Sequence, residues 1–216
     1  MAVFALVLAV ALQAQARPPA ASACGAQRAQ LLPIDQAATQ PEFFAFRARL
    51  QAAIARRDEA ALLAAVDPGI RLSFGADNGI NVLRTQLRDP KTTLWADLAT
   101  ALALGGTFAA PTSFTAPYVF ASWPSNADSF ECAAVIGESV RVRRTAEADS
   151  AVVGRVSFEI VQVLPDSRSA TVVHVRLASG VTGFVSAAFV RSPIDRRATF
   201  ERVNGQWRLR SFVAGD

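Results

Sequence analysis

Near the carboxyl end, Asn204-Gly205 sits between two runs that alternate apolar and polar residues. These are Ala198-Thr199-Phe200-Glu201-Arg202-Val203 before it and Gln206-Trp207-Arg208-Leu209-Arg210-Ser211-Phe212 after it. Asn-Gly suits the two positive-φ positions of a tight turn, which makes it the strongest short-range hairpin signal a chain can carry. A hairpin alone is marginal in water, so this one must join a larger sheet. The rest of the chain offers two candidate hosts.

The first is the stretch from Val140 to Val190. Val140-Arg141-Val142-Arg143 alternates valine and arginine, as a half-buried strand does. Val152-Val153-Gly154-Arg155-Val156 predicts a second strand and Glu159 to Leu164 a third, stopped by Pro165-Asp166-Ser167. Val172 to Leu177 predicts a fourth, with Val173, Val175 and Leu177 on one face and His174 and Arg176 on the other. Ser179-Gly180 turns the chain into Gly183-Phe184-Val185. Short β-branched runs at this spacing predict a sandwich or small barrel, complete without the last hairpin.

The second host is the region before it. Glu42 to Val66 is helical by pattern. Phe43, Phe46, Leu50 and Ile54 form one stripe with Arg47, Arg49 and Arg56 elsewhere, and Asp58 can cap a second run ended by Asp67-Pro68-Gly69. Ile70 to Phe74 alternates as a strand, and Gly75 to Gly79 reads as a turn. Helices are expected over Ile80–Leu87 and from Thr93 to the Gly105-Gly106 stop. Phe114 to Phe120 returns to strand character, with Pro117 at an edge or bulge. This region has too few strands to cover its helices, so the hairpin is assigned to it and the β-rich stretch becomes an insertion. The expected fold is an α+β domain, 41–131 completed by the hairpin at 194–214, with helices packed on an antiparallel sheet. A small all-β barrel over 138–192 interrupts it.

Met1 to Leu12 holds an apolar run of signal-peptide length, and Ala14-Gln15-Ala16 supplies a small-x-small cleavage pattern. Residues 1–16 are therefore expected to be removed and 17–40 to be extended. The mature chain would be periplasmic or secreted, with no transmembrane anchor. Cys24 and Cys132 are the two cysteines, and in an oxidising compartment they would most simply pair. Ala21-Ser22-Ala23-Cys24 also permits acylation of Cys24, a reading opposed by the interrupting Arg17-Pro18-Pro19.

The order Val140-Arg-Val-Arg, Val152-Val-Gly, Val161-Gln-Val-Leu, Val175-Arg-Leu, Gly180, Gly183-Phe184-Val185 and Phe189-Val190 resembles the bacterial SH3-like domains of cell-envelope proteins. The resemblance implies a small all-β barrel that binds cell-wall peptide, glycan or an envelope protein, with Arg141, Arg143, Phe184 and Phe189 as contacts. A second, looser resemblance rests on Ala55 to Leu62, the Asp67-Pro68-Gly69-Ile70 exit and Phe200 to Leu209. These are similar to the cone-shaped α+β family of nuclear transport factor 2. That likeness implies an alternative, a small-molecule carrier or enzyme with a pocket lined by Trp95, Asp97, Phe114 and Tyr118.

Chemistry is otherwise sparse. One histidine and two cysteines cannot make a tetrahedral metal set, and phosphate-binding glycine loops and Gly-x-Ser-x-Gly are absent. No cofactor, metal or catalytic residue is expected, and Asp77 before Asn78-Gly79 reads as a turn former. The net charge is +4. Residues 1–131 carry ten cations and ten acids, residues 138–216 twelve and eight, so the excess lies in the carboxyl-terminal part. All cations but Lys91 are arginine, suited to carboxylates and phosphates but equally to plain solvation. No nucleic-acid recognition motif is visible. The expected protein is a non-catalytic exported binding protein.

Overall fold

The computed structural model describes Cys24, residues 29–169 and residues 171–215. The expected signal peptide at 1–16 lies outside these residues. The fold is mixed α+β, with two sheets among the described residues.

Helix α1 (Pro41–Ala55) starts with Pro41 in its first turn, where a missing N–H costs nothing. Asp58 caps α2 (Glu59–Ala64), its carboxylate accepting from Ala61 N at 3.0 Å. The chain then enters β1 (Val66–Arg71) earlier than expected: Asp67-Pro68-Gly69 does not end a helix but lies within the strand. Proline is tolerated because β1 is an edge strand with irregular register. Helix α3 (Ile80–Arg88) follows Gly79, whose φ of 93° lets the chain turn into it. Helix α4 (Leu94–Ala103) ends before Gly105, at φ 67°. Strands β2 (Thr107–Ala110) and β3 (Ser113–Ala116) come next, and the chain then turns helical as α5 (Tyr118–Ala121), so Tyr118 is not on an edge strand.

The carboxyl-terminal hairpin, β11 (Arg197–Val203) and β12 (Gln206–Val213), lies in the middle of the first sheet, whose order is β1-β12-β11-β3-β2. The expected antiparallel sheet needs one correction. Strand β1 pairs with β12 in parallel, Val66 beside Leu209 and Arg71 beside Ser211. The parallel sense follows from separation: β1 and β12 are far apart in the chain, and no short turn dictates their direction. Helices α1 to α4 cover this sheet over a core in which Phe43, Phe114, Phe200, Leu50, Leu62 and Leu98 are fully buried.

The second sheet contains β4 (Cys132–Val135), β5 (Val140–Arg143), β6 (Val152–Val156), β7 (Ile160–Arg168), β8 (Val172–Arg176), β9 (Thr182–Ser186) and β10 (Val190–Arg191). Its order is β10-β4-β7-β8-β9-β5-β6. Strand β7 runs through Pro165 rather than stopping there, and Cys132–Val135, between the expected 41–131 and 138–192 units, is a paired strand. The sheet is not closed into a barrel among the described residues, since β10 and β6 at its edges are not paired with each other. All seven strands nevertheless share one core, to which Val135, Val142, Val156, Val161, Val175, Val185 and Val190 contribute.

Cys24 and Cys132 form a disulfide, so the Cys24 sulfur is not free for acylation. Leu31 N donates to Phe158 O at 2.7 Å, and Gln30 bridges to Glu159, tying the leading segment to the second sheet. Arg47, expected off the apolar stripe of α1, is instead buried. Its Nη1 and Nη2 donate to Asp35 Oδ1 and Oδ2 at 2.8 and 2.6 Å, which makes burial tolerable.

Candidate functional site

Strand alternation builds one cationic and aromatic face on the second sheet. In β5 the valines point to the core, leaving Arg141 and Arg143 outward. Register then aligns neighbours: Arg143 faces Phe184 on β9, and Phe184 faces His174 on β8. The His174 and Phe184 rings stack, with centroids 4.4 Å apart and planes 6° from parallel. On β6, Val152 lies beside Arg143 and Arg155 beside Arg141. Arg176, two residues from His174, shares its face and donates to Gln162 Oε1 at 3.1 Å.

Two local features hold the row. Gly183 precedes Phe184 where β9 presses on β5. A Cβ there would lie 2.5 Å from Arg143 O and 2.7 Å from Val142 Cγ1, so only glycine permits the approach. Arg143 Nη1 donates to Ser150 O at 2.6 Å, which orients its guanidinium across the β5–β6 turn. Strands β5, β6, β8 and β9 contain no Asp or Glu. Arg141 and Arg155 are direct cross-strand neighbours of like charge, an arrangement that is unfavourable until an anion lies between them.

The expected contacts Arg141, Arg143 and Phe184 are thus brought together. Phe189 is not: it is exposed on the turn before β10, and its ring lies against Gly137. His174, Arg155 and Arg176 were not among the expected contacts. Their signal was the polar side of the β6 and β8 alternations, which register alone could place beside Phe184.

The residues expected to line the alternative pocket fall in different surroundings. Trp95 is half-buried and donates to Leu87 O at 3.1 Å. Asp97 accepts from Thr93 Oγ1 at 2.9 Å and pairs with Arg196 at 3.2 Å. Phe114 is fully buried among Phe43, Phe108 and Phe200. Tyr118 lies in a different cluster, beside the disulfide and Ile160. Asp97 lines a cavity of about 260 Å³ with Pro117 and Arg196, and Trp95, Phe114 and Tyr118 are not among that cavity's lining residues. Burial also pushes the Tyr118 phenol above its ordinary value, and its oxygen has no hydrogen-bond partner among the described residues.

Asp77 is exposed, and its backbone carbonyl accepts from Ser73 Oγ in the turn. No cluster of three or more His, Cys, Asp or Glu suited to a metal occurs among the described residues. Nor does any described helix have the length and apolar character to cross a membrane.

No protein-family model and no curated protein matches the chain. Among solved structures, the chain is similar to an NTF2-like protein with a cystatin-like fold from Novosphingobium aromaticivorans, at 14% identity and a TM-score of 0.29. That alignment covers 80% of this chain and 77% of the other. Likeness at that level does not equate the two folds.

Proposed function

We propose that this chain is a non-catalytic exported binding protein whose second sheet acts as an SH3-like module, docking an anionic cell-wall component on its outer face. The observation that carries the reading is the His174–Phe184 stack with Arg143 beside it. An aromatic pair supplies a flat apolar platform for a sugar ring or peptide side chain. Arginines 141, 143, 155 and 176 supply forked donors for carboxylates, with no acid on the four strands to compete. The disulfide is compatible with an oxidising, extracellular setting.

The test is co-sedimentation of the mature chain, from Arg17 onward, with isolated peptidoglycan. Retention at moderate salt, reduced by Phe184→Ala in a variant that still folds, supports the reading. Absence of retention even at low salt overturns it.

A further inference from the structure

The first sheet carries a separate cavity that none of this uses. A groove of about 630 Å³ opens between α1, α2 and the tip of the β11–β12 hairpin. That volume lies within the range of small-molecule sites. It stays open because Ala61 and Ala64 of α2 and Ala65 just after it line it, side chains too short to reach across to the hairpin. Phe46 and Leu50 from α1 and Trp207 from β12 complete its apolar lining.

The rim is cationic, and its charges are unevenly satisfied. Arg202 pairs with Glu42 at 2.8 Å, and that pair is locally neutral. Arg208 donates to Ala64 O at 2.6 Å and Gln206 Oε1 at 2.8 Å, both uncharged acceptors, and its charge is felt by Asp67, which is bonded to Arg210. Arg49 lines the groove exposed, with no ion pair or hydrogen bond among the described residues. Arg49 therefore stands uncompensated over an apolar floor with Arg208 also in the lining, and Glu42, the one acid in the lining, is already engaged.

We propose that this groove binds an amphipathic carboxylate, a single aliphatic chain lying along Phe46, Leu50 and Trp207 with its head group held by Arg49 and Arg208. The charge arrangement selects the ligand. An apolar chain with a neutral head leaves Arg49 without a counterion, and a cationic head is repelled. A carboxylate matches the planar fork of arginine. This site is independent of the outer face of the second sheet.

The test is isothermal titration of the mature chain with decanoate, below its micelle concentration, against decyltrimethylammonium and octyl glucoside. Decanoate should bind saturably at one molecule per chain, and the other two should not. Arg49→Gln should weaken binding by about tenfold, the loss of one charge-assisted contact. Ala61→Phe, at an exposed position, should fill the groove and remove binding without lowering the thermal midpoint, while Arg56→Gln, outside the groove, should change nothing. Equal binding of the cationic amphiphile, decanoate binding unaffected by Arg49→Gln, or no saturable heat with decanoate would each overturn the proposal. Should Ala61→Phe melt early, the Arg49→Gln comparison still decides.

Discussion

Arg47 grips both carboxylate oxygens of Asp35, joining the middle of α1 to the segment that leads into it. The guanidinium is buried while the carboxylate is about half exposed, 7% against 43% for the two side chains. Removing the carboxylate strands a buried cation, whereas removing the cation leaves an acid that water can reach. Asp35→Asn should therefore cost about 2 kcal/mol, read as a lower urea midpoint at constant slope. Asp35→Asn matching the parent would contradict the pairing.

Gly183 tests the geometry of the proposed binding face without altering any of its side chains. With Arg143 O only 2.5 Å from where a Cβ would sit, Gly183→Ala must push β9 away from β5. The expected loss is about 1–3 kcal/mol, as for other overpacked sites. Wall retention should fall as Phe184 moves away from Arg143. Unchanged stability and retention would show that β9 does not approach β5 so closely.

The Cys24–Cys132 bond closes a long loop, its ends 108 residues apart. In the chain-entropy model such a loop contributes about 4–5 kcal/mol by restricting the unfolded chain. The Cys24→Ser/Cys132→Ser double variant should then melt on the order of 10 °C lower. A melt that does not move would assign the bond no structural role.

Asp67 gives a pH dependence. Burial pushes its carboxyl up. The hydrogen bond from Gly69 N and the Arg210 guanidinium, with Arg208 adding charge, outweigh that and hold it below the usual carboxylate value. With the folded value depressed, its contribution is fully present above the unfolded value of about 3.9 and is lost as pH falls through the folded one. Asp67→Asn should flatten the fall in stability below about pH 4. An identical acid limit in both proteins would contradict the sign.

What could be read in advance follows the range of the interactions. The hairpin at Asn204-Gly205, the Asp58 cap of α2 and the valine alternation of β5 and β8 are set by neighbours a few residues apart, so periodicity and turn chemistry displayed them. Cys132-Ala133-Ala134-Val135 becomes a strand because β7 and β10 flank it, and its central Ala133-Ala134 pair carries little strand preference of its own. The same holds for β1, whose Asp67-Pro68-Gly69 reads locally as a stop. Arg141, Arg143 and Phe184 could be nominated from alternation and resemblance, but the His174 stack depended on the register of β8 against β9. The groove over Trp207 depended on three elements that meet only in the fold.

The most direct test of the central claim maps amide chemical shifts of the mature chain on adding a soluble peptidoglycan fragment. The account predicts perturbations concentrated at 141–143, 174–176 and 183–185, fading in Phe184→Ala. Perturbations confined to the first sheet, or none at a fragment concentration that saturates retention by whole wall, would contradict it.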